Sequence, residues 1–244
     1  MVALTPALLI ALGCAALAHR ARHERLATFW LLWSGFFIHL VMELSYGRHP
    51  EVVTGRATTT FTEFALSPAS FGDWFDARFW ARVYGQYARY DARYVGAEPT
   101  VVFICFTEAV LGPLCLLVAW LIQTGSALRH PLQLVLCTAQ FYGTVLYFTH
   151  PLVSGTWGQV MTRDPFELWV FVLLLNGIWM VIPGLMIAQS VTALGHAART
   201  AGRIPGRSAE GSPIRIRCCR RAVRPSGENI SGLRSRRPIA VRVR

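Results

Sequence analysis

The chain has 244 residues, of which 53% are hydrophobic and only 15% are charged, and its mean hydropathy is +0.39. Soluble domains carry roughly 25% charged residues, so this composition excludes an ordinary soluble protein and indicates an integral membrane protein. The formal net charge is +11, and the chain contains arginine but no lysine. No recognisable nucleic-acid-reading module accompanies this charge, which argues against a nucleic acid as partner.

Apolar stretches close to the length of a bilayer crossing, about 20 residues, recur between charged residues, prolines and glycines. The first could be a secretory signal peptide, but its basic cluster follows the apolar core instead of preceding it. We therefore interpret it as a retained span and predict an all-α membrane protein, a five-transmembrane-helix bundle. The predicted spans are about 3–19, 27–46, 100–122, 131–150 and 166–194.

The uneven placement of arginine predicts the orientation in the membrane. After Leu194 the chain carries thirteen arginines and two acidic residues. By the positive-inside rule, the C-terminus is cytosolic and the N-terminus lumenal. We predict a helical membrane domain over 1–195 and an Arg-rich disordered cytosolic tail over 196–244. The tail is either simply solvated, or it binds anionic lipid with Cys218 and Cys219 as acylation sites.

The connection between the second and third spans is rich in aromatic residues. Its second half, FGDWFDARFWARVYGQYARYD, fits an amphipathic helix at the membrane interface with its aromatic side chains toward lipid. It fits equally a segment that folds back as a lid over an opening between spans. The sequence leaves both arrangements open.

Carboxyl groups at membrane depth are the strongest signal of function. A charged residue at the bilayer centre costs about 3 kcal/mol on insertion scales, so it is rarely there without a task or a partner. His39 and Glu43 are one helical turn apart in the second span, close enough to form a hydrogen bond. Glu108 in the third span is a second acid, which favours a shared polar cavity. The alternative is that these groups only fix helix packing.

The fourth and fifth spans add polar and aromatic candidates. Gln140, Tyr142 and Thr144 occur in AQFYGTVLYFTH, and Asn176 and Trp179 share one face of the fifth helix in LLLNGIWMVIPG. Such residues often serve helix association alone. The spans contain no metal-type spacing of cysteines, and we expect no metal and no cofactor.

Four ordered segments resemble the emopamil-binding protein (EBP) family, whose shared module is the EXPERA domain. They are GFFIHLVME, YGQYARYDARY, QFYGTVLYF and LNGIWMVIPG, and the resemblance covers most of residues 1–195. It implies a five-helix bundle of the endoplasmic reticulum membrane whose lipid-accessible intramembrane cavity accepts a flat, apolar polycycle. The family's best-known activity is sterol Δ8–Δ7 isomerisation, in which an acid protonates an alkene and a base removes a neighbouring proton.

The resemblance also implies roles for individual residues. His39, Glu43, Asn176 and Trp179 match its functional positions, with Glu43 as the acid, His39 relaying or orienting the proton and the Trp179 face stabilising a cation. Together with Glu108 they form the predicted catalytic set. The residues predicted to bind substrate are Tyr94, Gln140, Tyr142 and Thr144.

Two departures from the sterol isomerases bear on the substrate. Their third-span glutamate belongs near Ile104, one turn before Glu108, and a shift of one turn displaces a group by about 5–6 Å along the helix axis. Their YGD motif is YGT here, at Tyr142–Thr144. These differences favour a terpene (meroterpenoid) cyclase, related to fungal membrane cyclases, over a sterol Δ8–Δ7 isomerase.

Other function classes stay open from the sequence. One is a non-catalytic sterol-binding or amine-binding protein that uses the same cavity, and another is a structural protein or transporter. The expected partners are a lipophilic isoprenoid or sterol substrate and membrane lipid. The sequence leaves the oligomeric state open, a homodimer included.

Overall fold

The computed structural model describes residues 2–202, and the regular secondary structure of that range is helical throughout, with two isolated β-bridges. The predicted acylation sites Cys218 and Cys219, and nearly all of the predicted disordered tail, lie outside the described residues. The last helix continues to Gly202, past the predicted domain boundary at residue 195.

The helices correspond closely to the predicted apolar stretches. Between them, the connection after the second span is broken into short helical pieces. The α-helices are α1 (Thr5–Ala18), α2 (Arg25–Leu32), α3 (Leu44–Arg48), α4 (Phe61–Leu66), α5 (Ala77–Tyr84), α6 (Pro99–Thr124), α7 (Arg129–Val153), α8 (Trp157–Val160), α9 (Pro165–Glu167) and α10 (Leu175–Gly202). Wider π-helical segments, Trp33–Glu43 and Leu168–Leu174, join α2 to α3 and α9 to α10. Short 3₁₀ segments are His19–Glu24, Pro50–Val52, Gly72–Phe75, Gly85–Arg89 and Ala92–Tyr94.

Within the described residues, three continuous helices are long and apolar enough to cross a membrane: Arg25–Arg48, Pro99–Thr124 and Pro165–Gly202. The first apolar helix, Thr5–Ala21, is shorter. Helix α7 has 25 residues, but histidine, glutamine and threonine side chains lower its mean hydropathy. The spans predicted over α1 and α7 therefore stay predictions.

Helix ends follow local sequence chemistry. Proline needs no hydrogen-bond acceptor at the first turn, and α6 begins at Pro99, where the Glu98 side chain accepts the Val101 N–H. The same helix ends at Gly125, whose φ of +67° is left-handed and favours glycine. The sequence signals at both ends thus define this span.

Glycines bring the second and third spans into close contact. A Cβ atom built on Gly35 would lie 2.9 Å from the carbonyl oxygen of Gly112, and one built on Gly112 would lie 2.9 Å from that of Gly35. Only residues without a side chain allow this approach, which is common between membrane helices. The crossing brings the face that carries His39 and Glu43 against α6.

The aromatic connection folds onto the helices and is not one interfacial helix. Its Ser67, which follows α4, pairs with the N-terminal residues, where Ala3 N–H donates to Ser67 C=O at 2.9 Å. Its end pairs with the segment before α9, where Thr162 N–H donates to Tyr90 C=O at 2.7 Å. Tyrosine side chains from this connection point into the protein, so the structure has the lid arrangement. We call residues 49–98 the lid segment.

Candidate active site

A cavity of about 610 Å³ lies between the lid segment and the helices. Its walls come from α1, the second span, α5, α6, α7 and α10, and most of the lining is apolar or aromatic. Such a cavity suits a largely apolar ligand held by a few polar groups. The aromatic lining includes Trp30, Trp33, Tyr84, Tyr87, Tyr94 and Trp179.

The His39–Glu43 pair lies in the π-helical part of the second span. There the Leu44 N–H donates to the His39 carbonyl five residues earlier, which marks the wider turn. π-helical segments occur frequently at functional sites. His39 Nδ1 lies 2.7 Å from Glu43 Oε2, and both side chains are buried. Tyr84 of the lid segment donates its hydroxyl to Glu43 Oε1 at 3.2 Å.

Gln140 holds the other ring nitrogen of His39. Its amide nitrogen lies 2.9 Å from His39 Nε2 and 3.5 Å from Cys115 Sγ. An amide N–H donated to Nε2 leaves the proton of a neutral imidazole on Nδ1, facing Glu43. Gln140, which is predicted to bind substrate, lies behind the histidine and is not part of the cavity lining.

Glu108 reaches the same histidine from α6. Its Oε2 lies 3.9 Å from His39 Nδ1 and has no hydrogen-bond partner among the described residues, although it is buried. Gly143 of α7 makes room for this carboxyl group, because a Cβ atom built on Gly143 would overlap Glu108 Oε1. Ile104, one turn earlier on α6, also lines the cavity.

Asn176 and Trp179 face the cavity from α10, on one helix face as predicted. The Asn176 amide donates to the Val172 carbonyl at 2.8 Å, which ties it to the π-helical segment before α10. The Trp179 ring lies 5.2 Å from the His39 ring and 4.7 Å from the Trp30 ring, measured between centroids. An electron-rich ring here can stabilise a positive charge in the cavity.

The residues predicted to bind substrate separate into two groups. Tyr94 and Thr144 line the cavity. Tyr142 does not, and its side chain is 60% exposed. Residues two apart on a helix are about 200° apart around its axis, so Tyr142 and Thr144 cannot face the same cavity. The structure therefore brings together eight of the nine predicted site residues, with Gln140 behind His39, and leaves out Tyr142.

Sequence reasoning missed several residues of the site. Tyr84 and Tyr87 belong to the YGQYARYDARY motif, which could have marked them as site residues. Whether their side chains point into the cavity depends on how the lid segment folds. Burial raises the pKa of both phenols, and the Tyr84 hydroxyl donates to Glu43 Oε1. Gly143 carries no signal of its own. Ala7 and Ala11 of α1, and Ala3 just before this helix, line the cavity too, and nothing in this apolar sequence distinguishes them.

The sequence profile of the EBP family, described as EXPERA (EXPanded EBP superfamily), matches residues 74–190. Those residues, just under half of the chain, are similar to an EXPERA domain. The match includes Glu108, Gln140, Asn176 and Trp179, whereas His39 and Glu43 precede it.

The curated relatives of this chain have names of two kinds: steroid isomerases and isomeliandiol or protoglabretal synthases. A probable 3-beta-hydroxysteroid-Delta(8),Delta(7)-isomerase of Oryza sativa subsp. japonica is 31% identical over 130 residues, which cover 52% of this chain and 57% of the relative. The 3-beta-hydroxysteroid-Delta(8),Delta(7)-isomerase of Rattus norvegicus is 28% identical over 71% of this chain and 66% of the relative. Isomeliandiol synthase MOI2 of Melia azedarach is 28% identical over 50% of this chain and 56% of the relative. The chain thus spans between half and two thirds of the length of these relatives.

Proposed function

We propose that this protein is an intramembrane isomerase of the EXPERA superfamily, which protonates an alkene or epoxide of a lipophilic isoprenoid. The observation that carries the proposal is that two carboxyl groups, Glu43 and Glu108, lie on the wall of an apolar cavity and both face the buried imidazole of His39. Acid and base catalysis need groups that can hold and release a proton near the substrate. The names of the relatives, isomerases and synthases, agree with this reaction class.

The cavity supports chemistry through a carbocation. Protonation of an alkene by Glu43 leaves a cation on the neighbouring carbon, and loss of a proton from an adjacent carbon forms the new double bond. Trp179, Trp30 and Tyr87 offer aromatic faces to that cation. An apolar lining also keeps water from trapping it.

His39 lies where it can return the proton from the base to the acid after each turnover. An isomerisation consumes no proton overall, so the proton that the base removes has to return to the acid. We assign Glu43 as the acid and Glu108 as the base. His39 Nδ1, which carries the imidazole proton, lies 2.7 Å from Glu43 and 3.9 Å from Glu108. Its proton can pass to the Glu43 carboxylate as Glu108 gives the proton that it removed to the same nitrogen, which leaves the imidazole neutral and Glu43 protonated. Gln140 orients the ring through Nε2.

For the substrate, we propose cyclisation of a terpenoid or meroterpenoid. Glu108 and Ile104 both line the cavity, so an acid at 108 instead of 104 moves the proton-accepting group by one turn. For an epoxide, the proton goes to the ring oxygen, the C–O bond breaks, an internal alkene forms the new C–C bond, and the base removes a proton. The second candidate is sterol Δ8–Δ7 isomerisation, which the names of the rice and rat relatives favour.

We further propose that the protein spans the endoplasmic reticulum membrane five times, with a cytosolic C-terminus. Helices α1 and α7 line the cavity together with the three longer spans, which supports placing all five in the bilayer. The excess of arginine after Leu194 supports the orientation.

The test is to incubate membranes containing the protein with a Δ8-sterol and, separately, with an epoxidised farnesyl-type meroterpenoid, and to identify products by mass spectrometry. A cyclised product supports the first proposal, and a Δ7-sterol supports the second. Membranes with the double variant Glu43→Gln, Glu108→Gln are the control. Tight binding of a lipophilic amine with no conversion of either substrate would instead identify a binding protein.

A further inference from the structure

A buried arginine in the lid segment, Arg93, donates a hydrogen bond to a backbone carbonyl of the α7 helix on the cavity wall. Arg93 is only 4% exposed, and its guanidinium donates to both carboxylate oxygens of Asp91, with Nη2 at 2.6 Å from Oδ2. The remaining terminal nitrogen, Nη1, donates to the backbone carbonyl of Tyr147 at 3.1 Å. The guanidinium also lies over the Tyr147 ring, 4.6 Å from its centroid.

The Tyr147 carbonyl is available because of a proline. In an α-helix this carbonyl would accept the N–H of the residue four positions later, and that residue is Pro151, which has no N–H. A buried carbonyl without a donor is costly. Arg93 therefore replaces the hydrogen bond that Pro151 removes from α7.

The contact lies at the candidate active site. Tyr147 and Thr144 line the cavity from α7, and Gly143 on the same wall makes room for the Glu108 carboxyl group. On the other side, Tyr94 follows Arg93 in the chain, lines the cavity, and accepts the Tyr46 hydroxyl on its carbonyl at 3.0 Å. Arg93 thus joins the lid segment to the wall that receives Glu108.

We propose that Arg93 is a positioning residue, which supplies the hydrogen bond missing at Pro151 and so holds the α7 wall in register with Glu108. Only the turnover part of its test rests on the proposed function. Arginine suits the task because its planar fork keeps its proton and can bind a carboxylate and a carbonyl at once.

A double-mutant cycle tests this role. Arg93→Met removes the donors and keeps an unbranched apolar side chain, while Pro151→Ala restores a backbone N–H for the Tyr147 carbonyl. Loss of the Asp91 ion pair is common to both backgrounds and cancels in the cycle. We expect Arg93→Met to lower kcat about tenfold or more in the wild-type background, as for a lost hydrogen bond to a charged group. In the Pro151→Ala background the loss should be several-fold smaller.

A measurement without substrate separates this inference from the proposed function. Hydrogen–deuterium exchange of the full chain in detergent should show faster uptake in peptides covering 143–155 for Arg93→Met, and Pro151→Ala should reverse it. Pro183→Ala, in α10, is the matched control and should leave the effect of Arg93→Met unchanged. Should Arg93→Met not fold, Arg93→Lys takes its place in the same cycle.

Any of three results overturns the inference. One is unchanged uptake at 143–155 in the Arg93 variant, and another is an equal effect of that variant in both proline backgrounds. Reversal by Pro183→Ala as well as by Pro151→Ala would also contradict it, because the coupling would then not depend on the Tyr147 carbonyl.

Discussion

Among the described residues, buried acidic side chains occur in two clusters, one with an arginine and one with a histidine. In the lid segment, Asp91 is paired with Arg93 by several hydrogen bonds, and both side chains are buried. In the spans, Glu43 and Glu108 face one histidine. A guanidinium does not release its proton in proteins, whereas an imidazole exchanges one readily near neutral pH. The difference indicates that the first cluster holds the structure together and the second can move protons.

The largest expected effect is on turnover at the histidine cluster. Glu43→Gln keeps the volume of the side chain but cannot serve as the acid, so we expect turnover to fall by about 10²–10⁴-fold. Product formation measured by mass spectrometry checks this, with melting in detergent as the control for folding. Glu108→Gln should cause a comparable loss. Full activity of either variant would remove that residue from the proton cycle.

Substitutions at the Asp91–Arg93 pair should lower the stability of the fold more than they affect the chemistry. Asp91→Asn leaves the Arg93 charge buried without its partner, and we expect a loss of about 3–5 kcal/mol in the free energy of unfolding. Thermal unfolding in detergent measures it. The matched variant is Asp76→Asn, at the exposed start of α5, where the carboxylate accepts only the Arg78 N–H. Equal losses from both variants would argue against a structural role specific to the buried pair.

Gly143→Ala tests the geometry of the histidine cluster without removing any of its polar groups. The added methyl group overlaps the Glu108 carboxyl group, which has to leave its position beside His39 Nδ1 or change its orientation. We expect about a tenfold loss of kcat, as for a misplaced catalytic group. Gly184→Ala in α10 is the control, because its Cβ atom would meet nothing closer than 3.9 Å. Unchanged kcat for Gly143→Ala would contradict the proposed position of Glu108.

The smallest expected effect comes from the link between the lid segment and the cluster. Tyr84→Phe removes the hydroxyl that donates to Glu43 Oε1 and keeps the aromatic ring. A net hydrogen bond of about 1 kcal/mol corresponds to a roughly fivefold loss of kcat. Tyr90→Phe is the control, since its ring stacks on Phe171 away from the carboxyl groups. A loss as large as that of Glu43→Gln would instead place Tyr84 in the proton cycle itself.

Much of the helical framework was predictable, because apolar stretches between charges and turn residues need no tertiary contact to be recognised. The predicted stretch 100–122 became α6 (Pro99–Thr124), and 27–46 became the helix Arg25–Arg48. The His39–Glu43 hydrogen bond was predictable too, since i, i+4 spacing places both side chains on one face. Whether α1 and α7 cross the membrane stays a prediction, because α1 is shorter than a full span and α7 contains several polar side chains.

By itself, the sequence determined the helical membrane class and the set of polar residues within the apolar helices, because both depend on the local order of side chains. Only the tertiary structure decided which of these groups meet. It placed Gln140 behind His39, turned Tyr142 away from the cavity, and used Gly143 to admit Glu108. The inward folding of the lid segment is another such decision. A segment with an aromatic face can pack on lipid or on protein with a similar local sequence pattern, so the sequence leaves this choice open. Contacts between distant parts of the chain settle that choice.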